Sequence, residues 1–457
     1  MSLQNYIVRP IRPIIPGVDK LGPLDQYTVR MYMPMACLFH VDSPELRSTI
    51  LKNLQTSLSR TIEDVKFLAA TIVPECEETD TIQLQYEENC GVIESINYQD
   101  LLETHLLCSR EFVERYIPEP RLHDHDRAPV FSAQATFING GLVLAFSPHH
   151  SIMDAQGFAT VMDLWAKHAA ADSDDRILGD EARPTRETMD PYFAGGPGYM
   201  KREDFAPYQT PGGVEYGVRQ AQIMASSLAG DSTLKTSHWL MSPDDVARLQ
   251  VMAVPPSTDL PTETANSVVA AFIWQKLSAA WHKSGHEDAS SALFSAVNVR
   301  RRMDPPMPPD YMRNAIVLSR AQADAKNLHA PSSDVIYDLA RKISTSVDYW
   351  TPEQIYDLMS AIESWPKTNA RLFPPLNLDI FLTSPASLGK QIWESKWGQQ
   401  LGAVKAIRCA ANAYLDGMVI MMPTADGGRD IMIFTMEEVL SELKADAEWT
   451  SRACYLG

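Results

Sequence analysis

The sequence contains no apolar run of the roughly 18–20 residues that a membrane-spanning helix needs. Its first 20 residues also lack the apolar core of a secretory signal peptide. Basic residues are few: 40 lysines and arginines stand against 58 aspartates and glutamates, so the net charge is −18. Nucleic acids and anionic membrane surfaces both select a basic protein face. We therefore predict a cytoplasmic protein that neither spans a membrane nor binds nucleic acid.

Cysteine is scarce, and the six cysteines are scattered without a C-x-x-C pair. This distribution predicts reduced thiols, with a zinc site or a disulfide framework as the alternative. The densest group of possible metal ligands is His123-Asp124-His125-Asp126. Adjacent histidines and aspartates do not by themselves define a coordination geometry. We therefore predict a polar loop there and no metal site.

The 457 residues, 45% of them apolar, suit a globular chain of two or three domains. Helix-like and strand-like patterns alternate along the chain, which predicts a mixed α/β fold. The patterns lapse between Asp172 and Thr233, where prolines and glycines cluster. We therefore predict an N-terminal domain at residues 1–180, a crossover linker at 181–233 and a C-terminal domain at 234–457.

Capping residues and apolar spacing predict the individual elements. Ser43 and Pro44 begin a helix within residues 42–73, and Thr351 to Gln354 begin another. Further helices are predicted at 157–171, from 242, at 262–280, at 334–349 and from Thr435. Strands are predicted at 81–86, 130–137, 142–146, 292–299, 418–422 and 431–434, the last two as a hairpin.

Two titratable residues, His150 and Asp154, follow the apolar strand Leu142–Phe146 in an H-x-x-x-D pattern. Loops at strand ends present reactive side chains from a rigid scaffold. An imidazole, with its ordinary pKa of about 6.5, suits proton abstraction near neutrality. Asp154 would either orient the ring or hold the loop through an ion pair; alternatively, the histidine only satisfies hydrogen bonds in a turn. A second pair at this spacing, His168 and Asp172, is predicted to be a solvated helix end.

A series of segments resembles, in the correct order, the BAHD acyltransferase superfamily, and most closely its fungal, trichothecene-acetyltransferase-like branch. The order of the segments is more specific than any one of them. They are Gly22–Gln26, similar to the opening PLDQ; Leu51–Ala70, similar to a helix of the family; His149–Gly157, which has the form HHxxxDxxG; Asn266–Trp274; Val297–Arg300 and Tyr311–Asn314, similar to VNxR and Y.GN; and Trp397-Gly398, at the place of DFGWG.

The resemblance implies two domains, each similar to chloramphenicol acetyltransferase with a mixed β-sheet flanked by helices, and a solvent channel between them. In that family acyl-CoA and the acceptor enter this channel from opposite sides. By this resemblance His150 would deprotonate the acceptor hydroxyl, and Asp154 would form an ion pair with Arg300 that holds the loop. The implied enzyme is a monomeric, CoA-dependent O-acyltransferase that uses acetyl-CoA as co-substrate and has no permanently bound cofactor. Its acceptor would be a small hydroxylated terpenoid, polyketide or alkaloid.

The chain departs from the family pattern at several positions. Where family members often have T-S-W, with the indole helping to hold the tetrahedral oxygen, this chain has Thr383-Ser384-Pro385. Proline has no donor, so Thr383 or a backbone N–H would have to stabilise the oxyanion. Of DFGWG only Trp397 and Gly398 are kept, as a structural motif, and Arg313 replaces the glycine of Y.GN.

By the same resemblance, the hydroxyls of Thr264 and Ser384 lie near positions that contact CoA. The acidic chain also needs local cations for the CoA phosphates, and seven residues are candidates: Arg300, Arg301, Arg302, Lys390, Lys396, Lys405 and Arg408.

Two other functions remain open at this point. A condensation-type catalyst of similar fold would take its acyl group from a carrier protein. A homologue that only binds a small molecule would explain Pro385 and the eroded DFGWG. The length of the chain and the order of its motifs favour the CoA enzyme over the first alternative, and the retained His150, Asp154 and Arg300 argue against the second.

Overall fold

The computed structural model describes residues 4–98, 127–171, 234–254, 257, 259–286, 290–364, 379–385, 391–409 and 415–457. Over these residues the strands form sheets of six, seven and four strands, with helices packed on the two larger ones. The predicted mixed α/β architecture is therefore confirmed. The predicted linker at 181–233 and the His/Asp loop at 123–126 lie outside the described residues.

The six-stranded sheet carries the first hydrophobic core. Its strands are antiparallel except for β6 (Val92–Tyr98) and β8 (Phe131–Ile138), which run parallel to each other. In spatial order they are β1 (Gln4–Val8), β6 (Val92–Tyr98), β8 (Phe131–Ile138), β9 (Gly141–Pro148), β3 (Met35–His40) and β14 (Ala406–Cys409). The hairpin of β8 and β9 matches the two predicted strands and turns at Gly140, whose φ of +76° favours glycine.

Two helices, α2 (Arg47–Asp64) and α3 (Ala155–Ala170), pack against each other over this core. A short 3₁₀ turn, Pro44–Leu46, precedes α2, and the Ser43 hydroxyl accepts a hydrogen bond from the Glu45 N–H, as a capping residue does. The apolar residues at i+4 spacing in α2 are buried because this spacing places them on one face: Ile50, Leu54, Leu58 and Ile62.

The prediction for His168, near the end of α3, is wrong. Its side chain is buried rather than solvated, and its Nε2 lies 2.9 Å from Oδ2 of the equally buried Asp64 in α2. The helix ends at Ala170, and Asp172 lies outside the described residues. Local spacing could not reveal this contact because the partner lies 104 positions away.

A small four-stranded sheet lies beside the first core. Its strands, all antiparallel, are in order β2 (Gly17–Lys20), β5 (Thr81–Tyr86), β4 (Thr71–Cys76) and β7 (Ala128–Pro129). Strand β5 has the predicted bounds, and its alternating buried and half-buried residues show a strand with one face on the core. A short helix, α1 (Pro23–Tyr27), follows β2 and is buried throughout.

The seven-stranded sheet carries the second core. Strand β13 (Ile380–Thr383) runs parallel to both of its neighbours, and the other pairings are antiparallel. In spatial order the strands are β12 (Ile316–Asp324), β11 (Ser290–Asn298), β13 (Ile380–Thr383), β15 (Met418–Pro423), β16 (Arg429–Met436), β10 (Leu234–Met241) and β17 (Ala453–Tyr455). The predicted hairpin of β15 and β16 is confirmed.

The helix α5 (Ala265–Lys283) forms the centre of the second core. It is apolar over most of its surface because α7 (Ser332–Asp348) and α10 (Glu437–Ala445) cover it. The helices of this half are α4 (Pro243–Met252), α5 (Ala265–Lys283), α6 (Ala325–Leu328), α7 (Ser332–Asp348), α8 (Pro352–Ser364), α9 (Gly398–Leu401), α10 (Glu437–Ala445) and α11 (Ala447–Thr450). No helix in the described part of the chain combines the length and the hydropathy required to cross a bilayer.

One segment of the C-terminal half belongs to the first sheet. Strand β14 pairs with β3, and the Trp397 ring packs on Trp165 and Phe39 in the first core. This segment falls within the predicted C-terminal domain, 234–457, because nothing local in a sequence identifies which sheet a short strand joins. The prediction of a helix capped by Thr435 also needs correction: Met436 is the N-cap, and the Thr435 hydroxyl donates to Asp416 instead.

Candidate active site

The loop that carries the H-x-x-x-D pattern connects β9 directly to α3. Strand β9 ends at Pro148, and Asp154 is the N-cap of α3, with its Oδ1 accepting from the Gly157 N–H at 2.8 Å. A Cβ on Gly157 would lie 1.9 Å from the Met312 carbonyl oxygen, so no other residue fits there. A paired strand and a capped helix therefore fix both ends of the loop.

His150 lies in this loop where the two halves of the molecule meet. Its N–H donates to the Met31 carbonyl at 2.7 Å, and its own carbonyl accepts from Nδ2 of Asn314 at 2.9 Å. Burial lowers the pKa of the ring, while the carbonyls of His150 and Met153 and the charge of Asp154 oppose this effect. Ring atom Nδ1 has no hydrogen-bond partner among the described residues. A neutral imidazole at this position can accept a proton.

The neighbouring His149 has a different environment. Its ring is buried, Nδ1 lies 2.7 Å from the Ser151 hydroxyl, and the Tyr32 ring packs edge-on at 4.8 Å. Burial lowers the pKa of His149 to about 3, and electrostatic repulsion from His150 and Arg30 lowers it further. This histidine is therefore held neutral and already hydrogen-bonded, which makes it a poorer proton acceptor than His150.

Asp154 and Arg300 form a buried bidentate ion pair. Nη1 of Arg300 lies 2.8 Å from Oδ2 and Nη2 lies 2.9 Å from Oδ1 of the carboxylate, with both side chains at most 4% exposed. The Ala315 N–H also donates to Oδ2. The remaining guanidinium donors reach the carbonyls of Tyr311 and Arg313 and Oδ1 of Asn298. The carboxylate is thus directed at Arg300, which favours the second of its two predicted roles, holding the loop.

A second polar cluster next to this loop was not predicted as part of the site. Oδ1 of the buried Asp25, in α1, accepts from both the N–H and Nδ2 of Asn314 at 3.1 Å. Burial raises the pKa of Asp25 to about 6, against the charge of Arg313 and the hydrogen bonds from Asn314 and Gly22. The segments of both residues resembled family motifs, but the resemblance gave neither residue a role.

A cavity of about 500 Å³ lies between the start of α5, strand β11 and helix α7. Thr264 and Ser384, the two predicted CoA contacts, both line it. The Ser384 hydroxyl donates to Oδ1 of Asn266, and Thr264 caps α5 by accepting from the Ser267 N–H. Thr383, the predicted oxyanion donor, ends β13 and is not among the residues that line this cavity.

Of the six predicted cations that the structure describes, Arg302 is the one that lines the cavity. It lies 3.6 Å from Asp348, and a second cavity arginine, Arg341, lies 3.5 Å from Glu263. The other described candidates lie elsewhere: Arg300 pairs with Asp154, Arg408 pairs with Asp430, and Arg301, Lys396 and Lys405 are exposed. Lys390 lies outside the described residues.

Trp397 and Gly398 pack against residues of the first core. The indole is buried, with its ring centre 5.5 Å from that of Trp165 and 5.6 Å from that of Phe39. Gly398 has φ +79°, and a Cβ there would lie 2.7 Å from the Ala169 carbonyl oxygen. The two residues therefore join the C-terminal segment to α3 in the first core.

Comparison with curated proteins finds fungal acyltransferases that span almost the whole chain. The acyltransferase easC of Emericella nidulans is 24% identical, covering 96% of this chain and 95% of the relative. The trichothecene 3-O-acetyltransferase of Saccharomyces cerevisiae is 23% identical and covers 96% of each chain.

Solved structures of such enzymes share the fold. The TRI101 protein of F. graminearum, in complex with coenzyme A and deoxynivalenol, matches with a TM-score of 0.78 and 18% identity over 96% of this chain and 100% of that one. Vinorine synthase matches with a TM-score of 0.68 and 16% identity, over 99% and 98%. The profile of the Transferase family matches residues 2–450. The chain therefore belongs to this Transferase family, the BAHD acyltransferases that its sequence resembles.

Proposed function

We propose that this acyltransferase moves an acetyl group from acetyl-CoA to a hydroxyl of a small secondary metabolite, with His150 as general base. One observation carries the proposal: His150 lies where the two halves meet, with a burial-lowered pKa and its loop held by the Asp154–Arg300 pair. A neutral imidazole held in this way has the protonation state and the fixed backbone that proton abstraction requires.

The reaction then follows without a covalent enzyme intermediate. The neutral ring of His150 takes the proton of the acceptor hydroxyl while that oxygen attacks the thioester carbonyl carbon. The resulting tetrahedral oxyanion collapses, the C–S bond breaks, and the CoA thiolate takes the proton from the imidazolium. Because both substrates meet at one base, the barrier falls through positioning as well as through proton transfer.

We propose that the cavity beside α5 holds the acyl donor. Its polar lining of Thr264, Asn266 and Ser384 can hydrogen-bond the amides of a pantetheine arm. Arg302 and Arg341 supply positive charge for phosphates, although each already faces a carboxylate, Asp348 or Glu263. CoA phosphates would have to compete with these carboxylates for the two guanidinium groups.

The oxyanion would be stabilised by the Thr383 hydroxyl or by a backbone N–H. Pro385 cannot take this role because its side chain has no donor. The acceptor class rests on the relatives: one is a trichothecene 3-O-acetyltransferase, and a structural neighbour is complexed with coenzyme A and deoxynivalenol. We therefore infer a hydroxylated terpenoid, polyketide or alkaloid as acceptor.

Two finer expectations belong to the same proposal, a monomeric state and a cytoplasmic location. The five cysteines that the structure describes are free thiols, which suits a reducing compartment. Gel filtration with light scattering tests the first expectation, and imaging of the tagged full chain in its native cell tests the second.

The decisive experiment incubates the purified protein with acetyl-CoA and a panel of alcohols that includes deoxynivalenol, and detects acetylated products by mass spectrometry. We expect at least one acetylated alcohol with the native protein and none above background with His150→Ala. An acetyl transfer that survives His150→Ala would contradict the general-base assignment. Transfer only from an acylated carrier protein would instead identify a condensation-type catalyst.

A further inference from the structure

The backbone of His150 is hydrogen-bonded to both halves of the molecule. On one side its N–H donates to Met31, next to the first sheet, and on the other its carbonyl accepts from Asn314, just before β12 of the second sheet. These two bonds act on the peptide groups of the proposed base itself. The Asp154–Arg300 pair acts four residues further along the loop.

The chemistry of the partners fixes the orientation of the Asn314 side chain. Nδ2 lies 3.1 Å from Oδ1 of Asp25 and 2.9 Å from the carbonyl oxygen of His150. An ionised carboxylate and a carbonyl oxygen only accept hydrogen bonds, so the NH₂ group must face them and can donate one hydrogen to each. Asn314 is 0% exposed, so water does not compete for these donors.

Asp25 in turn holds Asn314 by two bonds, since the same Oδ1 also accepts from the Asn314 N–H at 3.1 Å. Its other oxygen, Oδ2, accepts from the Gly22 N–H. The positive charge of the half-buried Arg313 favours the ionised form of this carboxylate. Asp25 therefore fixes both the backbone and the side chain of the residue that holds His150.

We propose that Asp25 and Asn314 are positioning residues that set the place of the His150 backbone for catalysis. This inference rests on the proposed role of His150 as general base. An error of about 1 Å in the placement of a catalytic group can cost on the order of 100-fold in rate. Loss of the Asn314 amide should therefore lower kcat. The binding of acetyl-CoA should persist, because Asn314 is not among the residues that line the cavity proposed for it.

The test compares Asn314→Ala with Gln275→Ala, using acetyl-CoA and whichever panel alcohol the native protein acetylates fastest. Gln275 is the matched control because it is also a buried amide that donates to a backbone carbonyl, that of Ala330, from within α5. We expect Asn314→Ala to lower kcat about 10- to 100-fold, with the KM for acetyl-CoA changed less than about 2-fold. Gln275→Ala should lower the melting temperature and leave kcat unchanged.

A second pair of variants covers the case in which Asn314→Ala does not fold. Asp25→Ala removes the acceptor that orients the Asn314 amide, and Asp25→Asn restores an oxygen acceptor of the same shape. We expect kcat to fall with alanine and to recover most of its value with asparagine.

A melting temperature that falls while kcat stays at the native value in both Asn314→Ala and Asp25→Ala would overturn the inference. A native protein that transfers no acetyl group to any alcohol would instead refute the proposed function. The two failures are therefore distinguishable by the activity of the native protein.

Discussion

The carboxylate of Asp154 and the guanidinium of Arg300 join residues 146 positions apart in a pair buried from solvent. The same carboxylate caps α3 through Gly157 and accepts from Ala315. The Asp154 side chain thus connects the helix that follows the His150 loop to the residues just before β12 in the other half. The geometry gives Asp154 a part in folding as well as in holding the loop.

Replacing Asp154 with alanine should destabilise the protein by about 3–5 kcal/mol, because Arg300 would stay buried without its counter-ion. It should also lower kcat, since the loop of His150 loses one anchor. Thermal and urea unfolding followed by circular dichroism measure the first effect, and the acetylation assay measures the second. An unchanged melting temperature would show that the pair contributes nothing to the native state.

Replacing His150 with glutamine should reduce kcat by a factor of about 10²–10⁴, the usual contribution of a general base. Nδ1 of this ring has no partner among the described residues, so stability should change little. His168→Gln is the matched control, because this second H-x-x-x-D histidine is buried against Asp64 in the first core. His168→Gln should lower the melting temperature and leave kcat unchanged. A loss of kcat in His168→Gln, with kcat unchanged in His150→Gln, would contradict the assignment of His150 as general base.

The pH dependence of the reaction follows from the lowered pKa of His150. Burial disfavours the imidazolium, so the neutral ring persists below its ordinary pKa of 6.5. Activity requires that neutral form, and kcat/KM should therefore fall on the acid side only below pH 6.5. A profile of kcat/KM between pH 4.5 and 9 checks this expectation. An acid limb centred at or above pH 7 would mean that another group titrates.

The sequence predicted most elements because their signals are local. Ser43 and Pro44 begin a helical turn, and the i+4 spacing of Leu46, Ile50, Leu54 and Leu58 predicts an apolar face, of which the last three are buried in α2. The strands on either side of Gly140 were recognisable from alternation and turn residues. Such patterns depend only on neighbours within a few positions, so they need no knowledge of the fold.

The contacts that build the site are of another kind. The sequence could relate Asp154 to Arg300 only through family resemblance, and it gave no role to Asp25 or Asn314, although Asn314 contacts His150 across 164 positions. His168 was misplaced for the same reason, since its partner lies on another helix. Polar pairs at such separations leave no period or spacing in a single sequence.

The cavity beside α5 gives a prediction about the acyl donor. Ala296 is exposed on β11 and lines this cavity, so Ala296→Trp should block it without disturbing either core. We expect the KM for acetyl-CoA to rise at least about 10-fold, because a 500 Å³ cavity loses much of its space to an indole. Gln322→Trp, at an exposed position on the adjacent β12, is the control. Equal KM values for the two variants would place the donor elsewhere.

The buried carboxyl group of Glu94 should make the stability of the protein depend on pH. The Glu94 side chain is 0% exposed on β6, and burial raises its pKa to about 7. The side chain of Gln55 opposes this rise only in part. The unfolded chain ionises Glu94 near its ordinary pKa of 4.5, whereas the folded protein keeps the proton until about 7. Stability is therefore lost as the pH rises through this window.

Glu94→Gln should remove that loss, because a neutral amide has no proton to release. We expect the variant to match the native protein below about pH 4.5 and to exceed its stability by up to about 3 kcal/mol at pH 8. Urea unfolding at both pH values measures the difference, with the exposed Glu88→Gln as the control. A difference between variant and native protein that is the same at both pH values would mean that Glu94 titrates at its ordinary pKa in the folded state.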